Sequence, residues 1–213
     1  MERAALSSDT LGPFSPEVRE QLIAWLSLPD QSRPELLCGR IVYRAMANLD
    51  HGAAQAGISA QIFGSQGPDG MGNRWWIGVE TDIYVGGEGM RPDVVGWRIE
   101  RHPEPPKQVS LDRHLGVIVA PPDWVCEVLS TSTASRDLNV KWQAYHRAGV
   151  GWYWIVDVLN RSVTVYRRND TSYELVHIAV GGEIAHLAPF EEHDFVPERL
   201  FIRPPGESTA ATG

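Results

Sequence analysis

The sequence predicts an α/β fold in which a mixed β-sheet is flanked by helices. Helical-period segments and apolar, β-rich runs follow one another in the order helix, strands, helix, hairpin, strand, helix, strands. Too few helices separate the strands for a long, doubly wound parallel sheet. Apolar residues make up 43% and charged residues 22% of the 213 residues, which is typical of a globular domain. The sequence therefore favours one folded domain as the bulk of the chain.

Three parts of the chain are expected to differ in structure. We expect residues 1–30 to form an N-terminal helical arm, residues 31–203 to form the main domain, and residues 204–213 to form a tail. The tail is rich in Pro, Gly, Ser, Thr and Ala, a composition that predicts disorder at a terminus. Within the arm, the Ser-Pro-Glu sequence at 15–17 suits an N-cap, a first helical position and a first turn, so we predict a helix over 16–27.

The next segments predict a strand pair, a helix and a hairpin. Residues 35–44 form a strand pair that bends at its glycine. Residues 48–63 contain few β-branched residues and carry apolar residues at helical spacing, so they predict an amphipathic helix. After a glycine-rich loop at 65–73, strands over 74–85 and 91–98 form a hairpin that is turned by the glycines between them.

The second half of the chain predicts two strands, a helix and three further strands. Strands at 117–120 and 124–130 flank a Pro-Pro-Asp turn. Apolar residues at helical spacing over 135–148 indicate a helix, and Gly149 suits the position after its end. Three β-rich runs joined by short turns follow, at residues 151–158, 162–168 and 172–180.

Composition also bears on partners and compartment. The formal net charge of −8 counts against a generic nucleic-acid binder, because such proteins present basic surfaces. It does not exclude a nuclease, since acidic metal ligands add negative charge that a bound cation reverses. No apolar run approaches the roughly 20 residues needed to cross a bilayer, so we expect no membrane partner. Cys38 and Cys126 lie far apart, and we expect reduced thiols in a cytoplasmic protein.

Glu127 and Asp93 are acids in or beside apolar strands. Glu127 shares a strand face with Val125 and Leu129, so burial of its charge would require compensation by a metal ion or a lysine. The alternative is an edge strand on which Glu127 is exposed to water. Asp93 precedes another apolar strand and is either a site residue or an ordinary acid at a strand entrance.

Lys141 lies on the predicted helix after the Glu127 strand. Asp137 precedes it by four residues, so an ion pair on the helix surface is the structural alternative to a site role. Two carboxylates on neighbouring strands could hold one hard divalent cation, since Mg²⁺ takes one or two protein carboxylates and fills its shell with water and phosphate. Such an ion polarises a phosphodiester and activates water, and a nearby ammonium offsets charge in the transition state.

Three linked sequences resemble the Uma-two family of proposed restriction endonucleases, which belongs to the PD-(D/E)XK nuclease superfamily. They are RPDVVGW at 91–97, WVCEVLSTST at 124–133 and RDLNVKWQAYHRAGVGWYWIVD at 136–157. The match extends upstream to ELLCGRIV and His51, and it covers most of residues 35–200. The resemblance implies a restriction-endonuclease-like fold and cleavage of DNA with Mg²⁺, or with Mn²⁺ in its place.

The resemblance also implies roles for individual residues. Asp93, in the Pro-Asp pair, and Glu127 would be metal ligands, and Lys141 would be the catalytic lysine that positions the attacking water. The superfamily usually places this lysine two residues after the second acid, where this chain has Leu129. Members of the family place a lysine on the following helix, and Lys141 matches that position. It could reach the site if its helix starts beside the end of the Glu127 strand.

Five further side chains are second-rank candidates. Glu35 and Glu80 are expected to add metal ligands, the alternatives being a strand-end charge and a solvated strand residue. His51 could contact phosphate, or it could cap a helix or lie on the surface. Asp137 and Tyr145 share a helix side with the lysine and could orient it or bind substrate, although the pattern favours a core position for Tyr145.

The sequence thus predicts a metal-dependent endonuclease that hydrolyses DNA phosphodiester bonds. A homodimer is expected, because cutting both strands needs two sites or two events. One alternative is a catalytically inactive nuclease-fold module that binds nucleic acid or a protein partner, which the shifted lysine and the acidic net charge favour. Another is a different metal-dependent hydrolase that acts on RNA or another phosphoester.

Overall fold

Two mixed sheets form the framework of the protein. The computed structural model describes residues 13–32, 34–44, 48–64, 74–129 and 134–202. These residues form two six-stranded sheets and three α-helices. The predicted glycine-rich loop at 65–73 and the predicted tail at 204–213 lie outside them. The predicted fold class, a mixed sheet flanked by helices, is confirmed, with the difference that the strands divide between two sheets.

The α-helices lie close to their predicted positions. They are α1 (Pro16–Leu26), α2 (Leu49–Gly64) and α3 (Ala134–Ala148). The Ser15 hydroxyl accepts a hydrogen bond from the backbone N–H of Val18 at 3.3 Å, which satisfies a free donor at the start of α1. Gly149 follows α3 with a φ of +82°, a left-handed conformation that glycine adopts without a steric penalty.

The chain passes back and forth between the two sheets up to its ninth strand, and the ninth to twelfth strands all belong to the second sheet. The first sheet contains β1 (Pro34–Leu37), β2 (Arg40–Tyr43), β4 (Ile83–Val85), β5 (Glu88–Met90), β7 (Gln108–Ser110) and β8 (Gly116–Ile118), in the order β2-β1-β5-β4-β8-β7. The second contains β3 (Trp75–Val79), β6 (Val94–Arg98), β9 (Trp124–Leu129), β10 (Trp152–Asp157), β11 (Ser162–Arg168) and β12 (Tyr173–Val180), in the order β12-β11-β10-β9-β6-β3. Strands β9 and β10 are parallel, and α3 is the crossover between them.

The predicted single strand over 74–85 is wrong. It consists of β3 in the second sheet and β4 in the first, and Glu80 lies between them with a φ of +45° that extended strands do not allow. Strand β6 pairs antiparallel with β3, as the predicted hairpin requires. Between these two strands, the chain also forms a second hairpin, β4–β5, in the first sheet. Residue alternation could not reveal the change of sheet, because strands in either sheet have the same period of two. Strands β5 and β7 were not predicted, because three residues are too few to show a period of two.

Each face of the second sheet is covered by a helix. Helix α2 packs on one face through Ala54, Ile58 and Ile62, as its apolar spacing predicts, while the side chain of Phe63 lies outside the described residues. Helix α3 and the first sheet cover the other face, in a cluster that includes Tyr145. Each fully buried isoleucine stabilises the fold by roughly 1.5–3 kcal/mol.

Strand alternation decides which face the two predicted acids reach. Val95 of β6 and Val125 of β9 lie in the cluster under α3. Asp93 and Glu127 are each two residues away from one of these valines, so both carboxylates point to the side of α3. The sheet therefore brings the acids to the layer between α3 and the first sheet.

Close backbone contact positions α3 over this layer. Gly86, in the β4–β5 turn, has a φ of +59°, and a Cβ atom there would lie 2.2 Å from the carbonyl oxygen of Ala144. Arg147 donates hydrogen bonds to the carbonyl oxygen of Gly86 at 2.9 and 3.1 Å. A larger residue at position 86 would push away the helix that carries Lys141.

Helix α1 packs against the first sheet rather than the second. Leu22 and Trp25 are buried in a cluster with Leu36 of β1, and Trp25 Nε1 donates to the carbonyl oxygen of Pro34 at 2.7 Å. The predicted division of the chain at residue 30 stays a prediction. In the described part of the chain, no helix has the length and apolar character needed to span a membrane.

Candidate active site

Asp93 and Glu127 meet on the face of the second sheet that α3 covers. Strands β6 and β9 are antiparallel neighbours with Val94 opposite Cys126, so the register sets Asp93 beside Glu127. Asp93 Oδ2 accepts a hydrogen bond from the backbone N–H of Val128 at 2.7 Å. Both carboxylates are buried, which excludes the alternative of solvated strand acids.

Lys141 joins these acids to Glu35. Its ammonium donates to Glu127 Oε1 at 3.0 Å and to Glu127 Oε2 at 3.1 Å, and it lies 2.7 Å from Glu35 Oε1. The ammonium is thus hydrogen-bonded to Glu127 and ion-paired with Glu35. The Lys141 side chain is only 3% exposed, so it is not a solvated residue on the helix surface. The side chain of Asp137, the alternative partner, lies outside the described residues.

Glu35 reaches the site from the first sheet, on β1. Its Oε1 accepts a hydrogen bond from the backbone N–H of Arg91 at 3.2 Å in addition to its contact with Lys141. Its Oε2 is buried and has no hydrogen-bond partner among the described residues. A buried carboxylate oxygen without a partner is costly, so this atom suits the coordination of a cation.

Tyr145 lies one helical turn after Lys141 and contacts the same carboxylate. Its hydroxyl donates to Glu127 Oε1 at 2.7 Å. Residues four apart share one face of a helix, which explains why α3 directs both groups at Glu127. The predicted core position of Tyr145 is confirmed, since the side chain is fully buried.

His51 holds the other oxygen of Asp93. Its Nε2 lies 3.0 Å from Asp93 Oδ1, and its side chain is buried, which excludes the surface position. The capping role belongs to Asn48, whose Oδ1 accepts a hydrogen bond from the backbone N–H of His51 at 2.9 Å. Gln55, one turn further along α2, donates to the backbone oxygen of Asp93 at 3.0 Å. The start of α2 therefore positions Asp93.

Arg44 is the site residue that sequence reasoning missed. It follows β2, and its Nη2 lies 3.4 Å from both Asp93 Oδ2 and Glu127 Oε2. Its Nη1 lies 3.8 Å from Glu35 Oε1 and donates to the carbonyl oxygen of Arg91 at 3.0 Å. The sequence places Arg44 at the end of the predicted strand pair that begins at Glu35. That position does not show in which direction the Arg44 side chain points.

Glu80 lies outside the buried cluster. Its side chain is exposed, with Oε1 3.4 Å from Gln55 Nε2, while its backbone N–H donates to the backbone oxygen of Asp93 at 3.2 Å. Leu129, at the superfamily's lysine position, is half-buried on β9, and the ammonium comes from α3. The geometry thus brings together Asp93, Glu127, Lys141 and Glu35, and leaves the Glu80 carboxylate open to solvent.

The two central acids experience opposite electrostatic effects. Burial raises the pKa of Asp93, but the hydrogen bond with His51 and the charge of Arg44 outweigh it and hold the pKa well below its ordinary value. Burial is also the largest effect at Glu127, where it raises the pKa despite the charges of Lys141 and Arg44. Asp93 is thus the firmly ionised acid, and Glu127 is the acid whose charge depends more on nearby cations.

The donor set suits a hard divalent cation. Within the described ranges, no three His, Cys, Asp or Glu side chains are already grouped as metal ligands. Mg²⁺ requires only one or two protein carboxylates, which Asp93 and Glu127 supply, and Glu35 Oε2 is a further buried oxygen without a partner. A cation between Asp93 and Glu127 would take the place that the Arg44 guanidinium holds.

Comparisons with known proteins agree with this fold. A family model described as "Uma2: Putative restriction endonuclease" matches residues 19–197. No curated protein matches the chain. A crystal structure described as that of "a putative nuclease belonging to DUF820" from Anabaena variabilis ATCC 29413 aligns with a TM-score of 0.64 and 21% sequence identity, over 84% of this chain and 96% of that chain. This likeness shows that the two chains share a fold, and the predicted restriction-endonuclease-like class is confirmed.

Proposed function

The chain belongs to the Uma2 family, and from that premise we propose that it is a magnesium-dependent endonuclease that hydrolyses DNA phosphodiester bonds. Membership of this family supports nuclease activity in general, that is, hydrolysis of nucleic acid. The observation that carries the finer proposal is the buried contact of Lys141 with Glu127 and Glu35, beside Asp93. Burial of these charges costs several kcal/mol of desolvation per ion. Such a costly cluster is more readily explained by a functional role than by a contribution to stability.

Asp93 and Glu127 would hold the metal ion, with Glu35 as a further ligand. Carboxylate oxygens are the ligands that Mg²⁺ and Mn²⁺ take in proteins. When bound, the ion would polarise the phosphodiester and favour ionisation of the attacking water. Glu80 is the more distant candidate, because its carboxylate is exposed and could serve only at the rim of the site.

The remaining side chains prepare these ligands. The Tyr145 hydroxyl fixes one oxygen of Glu127, and His51 fixes one oxygen of Asp93, so neither carboxylate rotates freely. Lys141 would orient the attacking water and offset negative charge on the phosphorus oxygens. Its ammonium contacts Glu127 and Glu35 in this structure, so it would exchange one of these carboxylate contacts for the water.

A nuclease-fold module that binds without cutting is the second candidate. Arg44 and Lys141 already neutralise much of the acid cluster, and such a salt-bridged network could exist without any metal. Binding of nucleic acid or of a protein partner would then take place without hydrolysis.

A homodimer and a cytoplasmic location are further parts of the proposal. Strand β12 ends the second sheet, and Leu175, Ile178 and Val180 each expose more than half of their surface there. A second copy of the strand could pair antiparallel along this edge and cover these apolar side chains. Cys38 and Cys126 are both free thiols, which supports a reducing compartment.

Plasmid cleavage tests the enzyme. Wild type and the D93N and E127Q variants are incubated with supercoiled plasmid and Mg²⁺ or Mn²⁺, and parallel reactions contain single-stranded DNA or RNA. We expect nicking by wild type only, and none in EDTA. Equal nicking by all three proteins would defeat the proposal, while a gel shift without nicking would favour the binding module.

A further inference from the structure

Arg44 is the most exposed member of the ion cluster. Its side chain is 16% exposed, whereas Lys141, Glu35, Asp93 and Glu127 expose 3% or less. It follows the last residue of β2 and contacts all three acids. Arg44 is therefore the member of the cluster that is most accessible to solvent.

The contacts of Arg44 with the acids are loose. Charge-assisted N–H···O⁻ bonds are usually about 2.7–2.9 Å long. The Arg44 nitrogens lie 3.4 Å from Asp93 and Glu127 and 3.8 Å from Glu35. The ammonium of Lys141 makes contacts of 2.7–3.1 Å in the same cluster. Lys141 thus makes the shorter contacts with the acids, while the one short hydrogen bond of Arg44 is to the carbonyl oxygen of Arg91, at 3.0 Å.

Arg44 contacts the oxygens that a metal ion would need. Asp93 Oδ1 and Glu127 Oε1 are engaged by His51 and Tyr145. Arg44 Nη2 contacts the other two oxygens, Asp93 Oδ2, which also accepts from the backbone N–H of Val128, and Glu127 Oε2, which also accepts from Lys141. The guanidinium and a divalent cation at these oxygens would be within a few ångströms of each other. Two cations at that separation repel each other strongly in a mostly buried site.

We propose that Arg44 is the resident counter-ion of Asp93 and Glu127, that a divalent cation displaces it, and that the released guanidinium binds a phosphate of the substrate. This inference rests on the proposed function, because it requires a metal at the acid pair. In the displaced position the planar fork of Arg44 is suited to bidentate contact with phosphate oxygens at the mouth of the site. Arg44 would therefore link metal binding to substrate binding.

Mn²⁺ titration calorimetry in the absence of nucleic acid tests the competition. The proteins are wild type, R44M, R44K and R161M, with folding checked by circular dichroism. Arg161 is a matched control, since it is a partly buried arginine that pairs with Glu198 instead of the cluster, and its loss changes net charge equally. We expect R44M to bind Mn²⁺ about tenfold or more tightly than wild type, because a cation next to the metal is gone. R44K should lie between them, since lysine keeps the positive charge but lacks the planar guanidinium and its five donors.

Each outcome decides one part of the proposal. Equal Mn²⁺ affinity in wild type and R44M, or the same gain in R161M, would overturn the role of Arg44 while leaving the metal site intact. If R44M does not fold without metal, R44K decides, and wild-type affinity in R44K counts against the competition. Absence of Mn²⁺ binding in every protein would overturn the metal site and this inference together. Displacement also predicts that R44M, despite tighter Mn²⁺ binding, binds a short duplex more weakly than R161M in the presence of Ca²⁺, and equal duplex binding would refute the phosphate contact.

Discussion

The Lys141 ammonium lies 3.0 and 3.1 Å from the two oxygens of Glu127, although the two residues are on different elements. Glu127 is on β9, and Lys141 is on α3, the crossover helix that follows it. In the superfamily pattern the lysine would be at Leu129, on the same strand as the acid. Because α3 packs directly over the face that carries Glu127, a lysine on the helix reaches the carboxylate that a strand lysine would reach.

Replacing Lys141 tests its proposed role in catalysis. We expect K141M to cleave plasmid at least about 100-fold more slowly, since a positioned charge at a reacting group contributes that much. Nicking rates at saturating Mg²⁺ measure this effect. Lys107 is the other lysine of the chain and is exposed, so K107M is the matched control. A K141M protein that nicks as fast as K107M would remove the lysine from the mechanism.

The Tyr145 hydroxyl offers a test of how Glu127 is held. Loss of its 2.7 Å hydrogen bond to a charged acceptor in Y145F should lower the free energy of unfolding by about 1.5–3 kcal/mol and slow cleavage. Urea unfolding and nicking rates measure the two effects. Tyr153 is a buried neighbour whose hydroxyl has no hydrogen-bond partner among the described residues, so Y153F should be neutral or stabilising. Similar losses in both variants would show that the hydroxyl of Tyr145 has no special role.

Glu35 and Glu80 should differ in their effect on metal binding. We expect E35Q to weaken Mn²⁺ binding by about tenfold or more, because a buried oxygen beside the acid pair is lost. E80Q should have a smaller effect, since its carboxylate is exposed at the rim. Calorimetric titration measures both. Glu88 is buried and accepts a hydrogen bond from the backbone N–H of Cys38, so E88Q controls for loss of a buried carboxylate elsewhere. A larger effect at Glu80 than at Glu35 would reverse the proposed ligand order.

Asp93 predicts a particular dependence of stability on pH in the metal-free protein. Its pKa is lowered in the folded state, so its ionised form stabilises the fold above the unfolded pKa of about 4, and this stabilisation is lost as pH falls further. The stability difference between wild type and D93N should therefore be largest near neutral pH and shrink in acid. Urea unfolding in EDTA across the acidic range measures it.

A difference that stays constant in acid would contradict ionisation of Asp93. The exposed Asp170, on the β11–β12 turn, provides the control D170N, for which we expect little difference at any pH. If the change in the free energy of unfolding is no larger for D93N than for D170N, it cannot be assigned to the buried cluster.

The exposed edge of β12 predicts how two copies associate. I178E should weaken dimerisation by about tenfold or more, because pairing along this edge would bury an unpaired charge. Light scattering across a concentration series measures the mass. Leu159 is also an exposed apolar residue, but it lies in the β10–β11 turn, so L159E should remain dimeric. A wild type that is monomeric at every concentration would end the dimer proposal.

Local pattern accounts for most of what could be predicted of the fold. The three α-helices, the β1–β2 pair and the strands β9 to β12 follow from apolar spacing, capping residues and turn residues, which act over a few positions. The division into two sheets did not follow, because Glu80 takes a left-handed φ that its residue type does not favour. The residues on either side of Glu80 alternate as those of a single strand would, so no local signal marks the change of sheet.

Local sequence patterns pointed to Asp93, Glu127, Lys141 and Glu35 as residues that could carry chemistry, through their motifs and through the strands and helix that bear them. The packing of the sheets and helices then placed these side chains in one buried cluster, brought Arg44 and His51 into it, and left Glu80 at its rim. Contacts between charged residues that are far apart in the chain depend on how the sheets and helices pack. A local sequence pattern covers only a few positions, so it does not show which distant side chains meet.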